Sequence, residues 1–117
     1  MEKRTYLCCL LEFYGALLTA RQRTLMEQHL YEDCSLFEIA EREGITRQGV
    51  RDALVRAERE LNEAEEKLGF FARNESIKGA VEALGAALKE AAVPPEARKL
   101  MNNLKEICEE IAPPAKS

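Results

Sequence analysis

Between Ser35 and Leu61 the chain reads SLFEIAEREGITRQGVRDALVRAEREL, and the chemistry of that stretch admits few folds. Ser35 is followed three residues later by Glu38, so the serine hydroxyl can accept an orphan amide of a new helix while the glutamate returns to the Ser35 amide. Ile39 and Ala40 then point inward. Gly44 stands where the chain must leave the helix through a left-handed conformation, which places the helix end near Glu43. Thr46 caps a second helix whose inward face is Val50, Ala53, Leu54 and Ala57, with Arg47, Gln48, Arg51, Asp52, Val55, Arg56 and Arg59 nearer to solvent. A small residue at Ala40 lets two helix backbones approach closely, and glycine at 44 lets the chain turn between them. The pattern is that of a helix-turn-helix.

The 117 residues are one domain's worth, enough for a helical core with an appendage. Hydrophobic residues make up 46% and charged residues 32%, without tryptophan and with only 4 prolines, a mixture that favours helix over sheet. The fold class expected is therefore all-α. A formal net charge of −4 argues against tight, general attraction to nucleic-acid phosphates. Cys8, Cys9, Cys34 and Cys108 form no C-x-x-C pair and only one histidine is present, so no metal site and no cofactor are indicated. Free cysteines on an apolar helix suit a reduced, cytoplasmic protein. Lys3 and Arg4 before an apolar run resemble a signal peptide, but Glu12 interrupts it, and the run is too short for membrane insertion.

Six helices are expected in order. The first runs from about Thr5 to Leu18 and is apolar over most of its surface. Thr19 with Gln22 repeats the capping-box spacing, so the second begins at Ala20 and buries Leu25, Met26 and Leu30. The third and fourth form the helix-turn-helix, and the fourth continues to about Leu68, because Val50, Leu54, Ala57, Leu61, Ala64 and Leu68 keep heptad spacing until Gly69. Leu54, Leu61 and Leu68 on this long edge are the candidate oligomerisation residues of a homo-oligomer. Asn74 is read as the cap of the fifth helix, with an apolar stripe at Ile77, Val81, Leu84, Leu88 and Ala91. Pro94-Pro95 separates it from the sixth, with a stripe at Ala97, Leu100, Leu104, Ile107 and Ile111. These two make a C-terminal helical hairpin, so residues 1–68 form the helix-turn-helix domain and 69–117 the hairpin and oligomerisation segment, with Ala115 to Ser117 a frayed tail.

No enzymatic constellation is visible. His29 lacks partners at ligand spacing, the carboxylates read as solvated helix faces, and the glycines are scattered singly. Charge distribution is more informative. From Thr46 to Arg59, four arginines (Arg47, Arg51, Arg56, Arg59) stand against Asp52 and Glu58, a local +2 in a −4 chain. In the standard docking of such a motif, Arg47, Gln48 and Arg51 meet base edges while Arg56 adds charge, and Arg21 and Arg23 reach phosphates.

Leu18 to Arg23, Glu32 to Glu41, Thr46 to Asp52 and Arg56 together resemble the YlxM family of small bacterial helix-turn-helix proteins. The first four helices also look like the promoter-reading C-terminal region of sigma factors. The resemblance covers about Tyr6 to Leu68 and departs at Gly49, where the family more usually has alanine, and Thr46, where it usually has serine. It implies a non-enzymatic, all-α protein encoded beside signal recognition particle genes and acting as a regulator in that pathway. The partners implied are the particle's GTPase, receptor or RNA. The alternative reading is a transcriptional regulator that binds duplex DNA.

Overall fold

A computed structural model describes residues 1–110, and among these residues the secondary structure is helical, without strands. Ile111, assigned to the last apolar stripe, and the tail Ala115 to Ser117 lie outside the described residues. The helices are α1 (Lys3–Tyr14), α2 (Ala20–Leu30), α3 (Leu36–Glu43), α4 (Arg47–Leu68), α5 (Phe70–Glu90) and α6 (Pro95–Glu109). They form two compact units, one of Met1–Gly69 and one beginning at Phe70.

Helix ends in the first unit follow the local chemistry closely. The α2 cap is a complete box: Gln22 N–H donates to Thr19 Oγ1 at 3.1 Å and Thr19 N–H donates to Gln22 Oε1 at 2.9 Å. Ser35 and Glu38 repeat it at α3, at 3.1 and 2.8 Å. At α4 the Gly49 amide donates to Thr46 Oγ1 at 2.9 Å. Each bond satisfies a donor that the first turn of a helix otherwise leaves to water. Gly44 and Gly69 close α3 and α4 with φ of 69° and 65°, and their amides return to the Ala40 and Glu65 carbonyls. A side chain is disfavoured in that left-handed conformation.

Packing in the first unit is organised by α4. Val50, Leu54, Ala57 and Leu61 form a buried edge, and α1, α2 and α3 all lie against this helix. Leu10, Leu25, Met26 and Ile39 complete a core in which these side chains are almost wholly excluded from water. Burying each valine, leucine, isoleucine or methionine side chain here contributes about 1.5–3 kcal/mol, so this core supplies much of the unit's stability. Polar ties fix the helix orientations. Tyr14 Oη donates to Glu65 Oε1 at 2.6 Å, linking α1 to the far end of α4. The Arg4 guanidinium donates to the His29 and Leu30 carbonyls at 3.0 and 2.9 Å, satisfying the end of α2, and pairs with Asp33 at 3.1 Å.

Three expectations are corrected. The first helix ends at Tyr14, not Leu18: a 3₁₀ turn, Gly15–Leu17, tightens the chain ahead of the Thr19 cap, leaving Leu17 exposed. Asn74 caps nothing, because α5 starts at Phe70 directly after the left-handed Gly69 and carries Asn74 in its interior. In α6 the buried residues are Met101 and Cys108, whereas Leu100, Leu104 and Ile107 of the expected stripe are exposed. Within the second unit Val81, Met101 and Cys108 form a small cluster with Leu88 against it. Gly85 is the close-approach point between α5 and α6, since a Cβ there would come within 3.1 Å of the Lys105 side chain.

Gly44→Ala should destabilise the first unit by about 1–2 kcal/mol through its left-handed φ alone, because open space surrounds that position. Denaturant unfolding followed by circular dichroism measures it. An unchanged midpoint would show that the α3–α4 turn relaxes without strain.

Candidate nucleic-acid interface

Because Val50, Leu54 and Ala57 are turned into the core, the opposite face of α4 is committed to solvent. It carries Gln48, Asp52, Val55, Arg56 and Arg59, while Arg47 and Arg51 flank the buried edge, and all seven are exposed. Arg47 and Arg51 are one turn apart, and the arginines from 47 to 59 extend over about 18 Å of helix. Among the described residues none of Arg47, Arg51, Arg56 and Arg59 is held in an ion pair or side-chain hydrogen bond. Gln48 differs: its Nε2 donates to Asp52 Oδ1 at 2.8 Å, so the amide and the one acid beside it on this face are tied to each other. The Gln48 carbonyl oxygen and second N–H stay available, and the bond holds the Asp52 carboxylate along the helix.

Arginines elsewhere in the unit are in a different condition. Arg21 pairs with Glu43 at 3.1 Å and Arg23 with Glu27 at 3.3 Å. Arg42 pairs with Glu32 at 2.7 Å, and the hydrogen bond from that carboxylate holds the guanidinium above its ordinary pKa. Exposed pairs of this kind contribute about 0–1 kcal/mol, so a phosphate can displace the carboxylate from Arg21 or Arg23 at small cost. The sequence-predicted set is thus divided: Arg47 and Arg51 stand one turn apart without partners, Gln48 lies beside them while partly engaged, Arg56 is unpaired but on the other side of α4 from Arg47, and Arg21 and Arg23 lie on α2 with partners.

The candidate oligomerisation residues are placed differently from the expectation. Leu54 and Leu61 are buried in the first unit's own core, the latter at 1% exposure. Only Leu68 of the three is exposed. Heptad spacing marks an apolar edge, but the chain's own α1, α2 and α3 pack against this helix.

One positioning residue was not legible in the sequence. Glu43, the last residue of α3, receives Arg21 on Oε1 and the buried Gln28 Nε2 on Oε2 at 2.7 Å, anchoring the end of α3 to α2. The two partners are 22 and 15 residues away in sequence, beyond any local pattern. Beside α4, a groove of about 230 Å³ is lined by Leu7, Met26, His29, Leu36, Leu54 and Val55 together with the charged Arg51 and Glu58. The Nδ1 atom of His29 is buried there without a hydrogen-bond partner. The two departures at 46 and 49 sit together: a Cβ at Gly49 would come 3.1 Å from Thr46 Oγ1, the cap of α4. No group of three or more histidine, cysteine or acidic side chains is placed to hold a metal among the described residues, and no described helix is long and apolar enough to cross a membrane.

Glu43→Ala removes the partner of a buried amide and should cost about 1–3 kcal/mol. Chemical denaturation measures it, and a change below about 0.5 kcal/mol would show that water replaces the carboxylate without loss.

The UPF0122 family model, described as "Putative helix-turn-helix protein, YlxM / p13 like", matches residues 1–103. A UPF0122 protein of Thermoanaerobacter pseudethanolicus is 38% identical over 111 residues, covering 92% of this chain and 95% of the relative. One from Symbiobacterium thermophilum is 42% identical over 82 residues, 70% of this chain and 77% of its own length. Another from Bacillus pumilus is 34% identical over 107 residues, 92% of this chain and 97% of its own. Match length, identity and the capped helix-turn-helix agree: the chain belongs to the UPF0122 family of YlxM/p13-like helix-turn-helix proteins.

Proposed function

We propose that the protein is a non-enzymatic, cytoplasmic regulator of the signal recognition particle pathway that contacts the particle's RNA, its GTPase or its receptor through the N-terminal half of α4. The observation that carries the reading is that Arg47 and Arg51, one turn apart on α4, and Arg56 and Arg59 further along it have no internal partner, whereas the first-unit arginines outside α4 are matched with carboxylates. A guanidinium without an internal partner is the donor that phosphate oxygens, base edges or a partner's carboxylates recognise in bidentate fashion. Membership of a helix-turn-helix family supports nucleic-acid binding. The acidic surplus supports a modest, locally directed interaction in place of broad attraction to polyanions.

A promoter-binding regulator is the second reading. It is favoured by Arg47, Gln48 and Arg51 occupying the part of the second helix that enters a major groove in proteins of this motif. Salt separates the two. A duplex reader that neutralises several phosphates loses affinity steeply as salt rises, whereas a protein contact changes less.

The test is retention of the particle's GTPase, receptor and RNA by the tagged protein, run beside selection from a random-sequence duplex pool. Retention of at least one particle component is expected. Tight enrichment of one duplex sequence, with none of the components retained, would establish the promoter reading instead. Arg47→Ala with Arg51→Ala should abolish whichever interaction is found while leaving helicity unchanged, since both side chains are exposed. A double variant that binds as well as the parent would move the site off α4.

A further inference from the structure

The second unit leaves an apolar face uncovered. Ile77 and Leu84 on α5 are 44% and 48% exposed, and Leu100, Leu104 and Ile107 on α6 are 61%, 38% and 63% exposed. The two helices are antiparallel: Lys78, Val81 and Glu82 lie opposite Lys105, Cys108 and Glu109, while Leu88 and Lys89 lie toward Arg98 and Met101. Leu84 immediately precedes the inward Gly85, Leu100 precedes Met101, and Ile107 precedes Cys108. Each exposed residue is therefore turned about 100° in the same sense from its own helix's inward face. In an antiparallel pair, equal rotation in the same sense brings both stripes to one side of the hairpin. The result is a contiguous two-helix apolar face, of a kind that monomeric soluble proteins rarely leave open beyond a few hundred Å².

We propose that this face binds the same face of a second copy of the chain, forming a four-helix bundle with α6 antiparallel to the partner's α6 about a two-fold axis near Leu104. Charge selects that occupant. Residues 70–110 hold six basic and seven acidic side chains, so two copies barely repel, and a polyanion finds no basic surplus there. The arrangement is also self-complementary. Lys99 and Glu110 are roughly three turns apart and so share one flank of the exposed stripe, five residues before and six after Leu104. A two-fold axis at Leu104 sets each Lys99 against the other copy's Glu110, giving the pair twice, as an isologous interface requires. A parallel arrangement instead places like charges side by side. Two antiparallel hairpins packed face to face are the ordinary four-helix solution for stripes of this spacing. The proposal stands independently of what the helix-turn-helix unit binds.

Analytical ultracentrifugation of the full chain at tens of micromolar tests it. The expected species has twice the chain's 13.2 kDa. Leu100→Glu with Ile107→Glu should give a monomer of unchanged helicity, because both side chains are exposed in the single chain. Lys99→Glu and Glu110→Lys should each weaken the dimer about tenfold, through two symmetric contacts, and the combined swap should restore it. A parent chain that sediments as a monomer overturns the proposal. So does a dimer that survives the Leu100 and Ile107 changes, or a combined charge swap that fails to recover what the single ones lose.

Discussion

The first unit depends on the burial of one continuous edge of α4. Val50, Leu54, Ala57 and Leu61 repeat at spacings of four and three, and three other helices settle on that edge. Alanine at 57, with no exposure, permits close backbone approach in the middle of the edge, while the leucines on either side fill the space between helices. Once that edge is inward, the rotation of α4 about its axis is set. The outward direction of Arg47 and Arg51 then follows without any interaction of their own. The candidate site is thus positioned by the apolar packing of the same helix.

Electrostatics explains why that face stays open. Carboxylates outnumber cations in the chain, yet the acids at 27, 32, 33 and 43 meet Arg23, Arg42, Arg4 and Arg21. Those contacts are weak singly at an exposed surface. Their consequence is distributional: they match basic groups at the periphery and leave the outer face of α4 unmatched. Asp52 is the one acid within the reading face, and the Gln48 amide holds it at 2.8 Å. A chain of net −4 can present a cationic helix in this way, because the field near a ligand is set by the nearest charges when salt screens the rest.

The second unit is held differently. Its interior cluster of Val81, Met101 and Cys108 is small, and Gly85 lets α6 approach α5 closely. Two helices alone bury little surface relative to what they expose, so a hairpin with apolar residues on a second face is incompletely satisfied by itself. The first unit, by contrast, closes on itself, with α1, α2 and α3 all packed against one strut.

What the amino-acid order determined is the local chemistry. The boxes at Thr19 with Gln22 and Ser35 with Glu38, the left-handed stops at Gly44 and Gly69, the extent of α4 and the helix-turn-helix itself are all legible, because each is decided by groups within about four residues of one another. The outward set on α4 was legible for the same reason, since a strong inward pattern at Val50, Leu54 and Ala57 leaves one direction for the rest. Other features were decided only by the tertiary structure. Glu43 became an anchor because α2 brings Arg21 and Gln28 to it, and Leu54 and Leu61 were covered by the chain's own helices instead of a second copy. In α6 the apolar arc is wider than one neighbour can cover: Met101 and Cys108 lie on one side of it, Leu100 and Ile107 on the other. Periodicity states that such a helix has an apolar side, but only the helix packed against it decides which part of that side is buried.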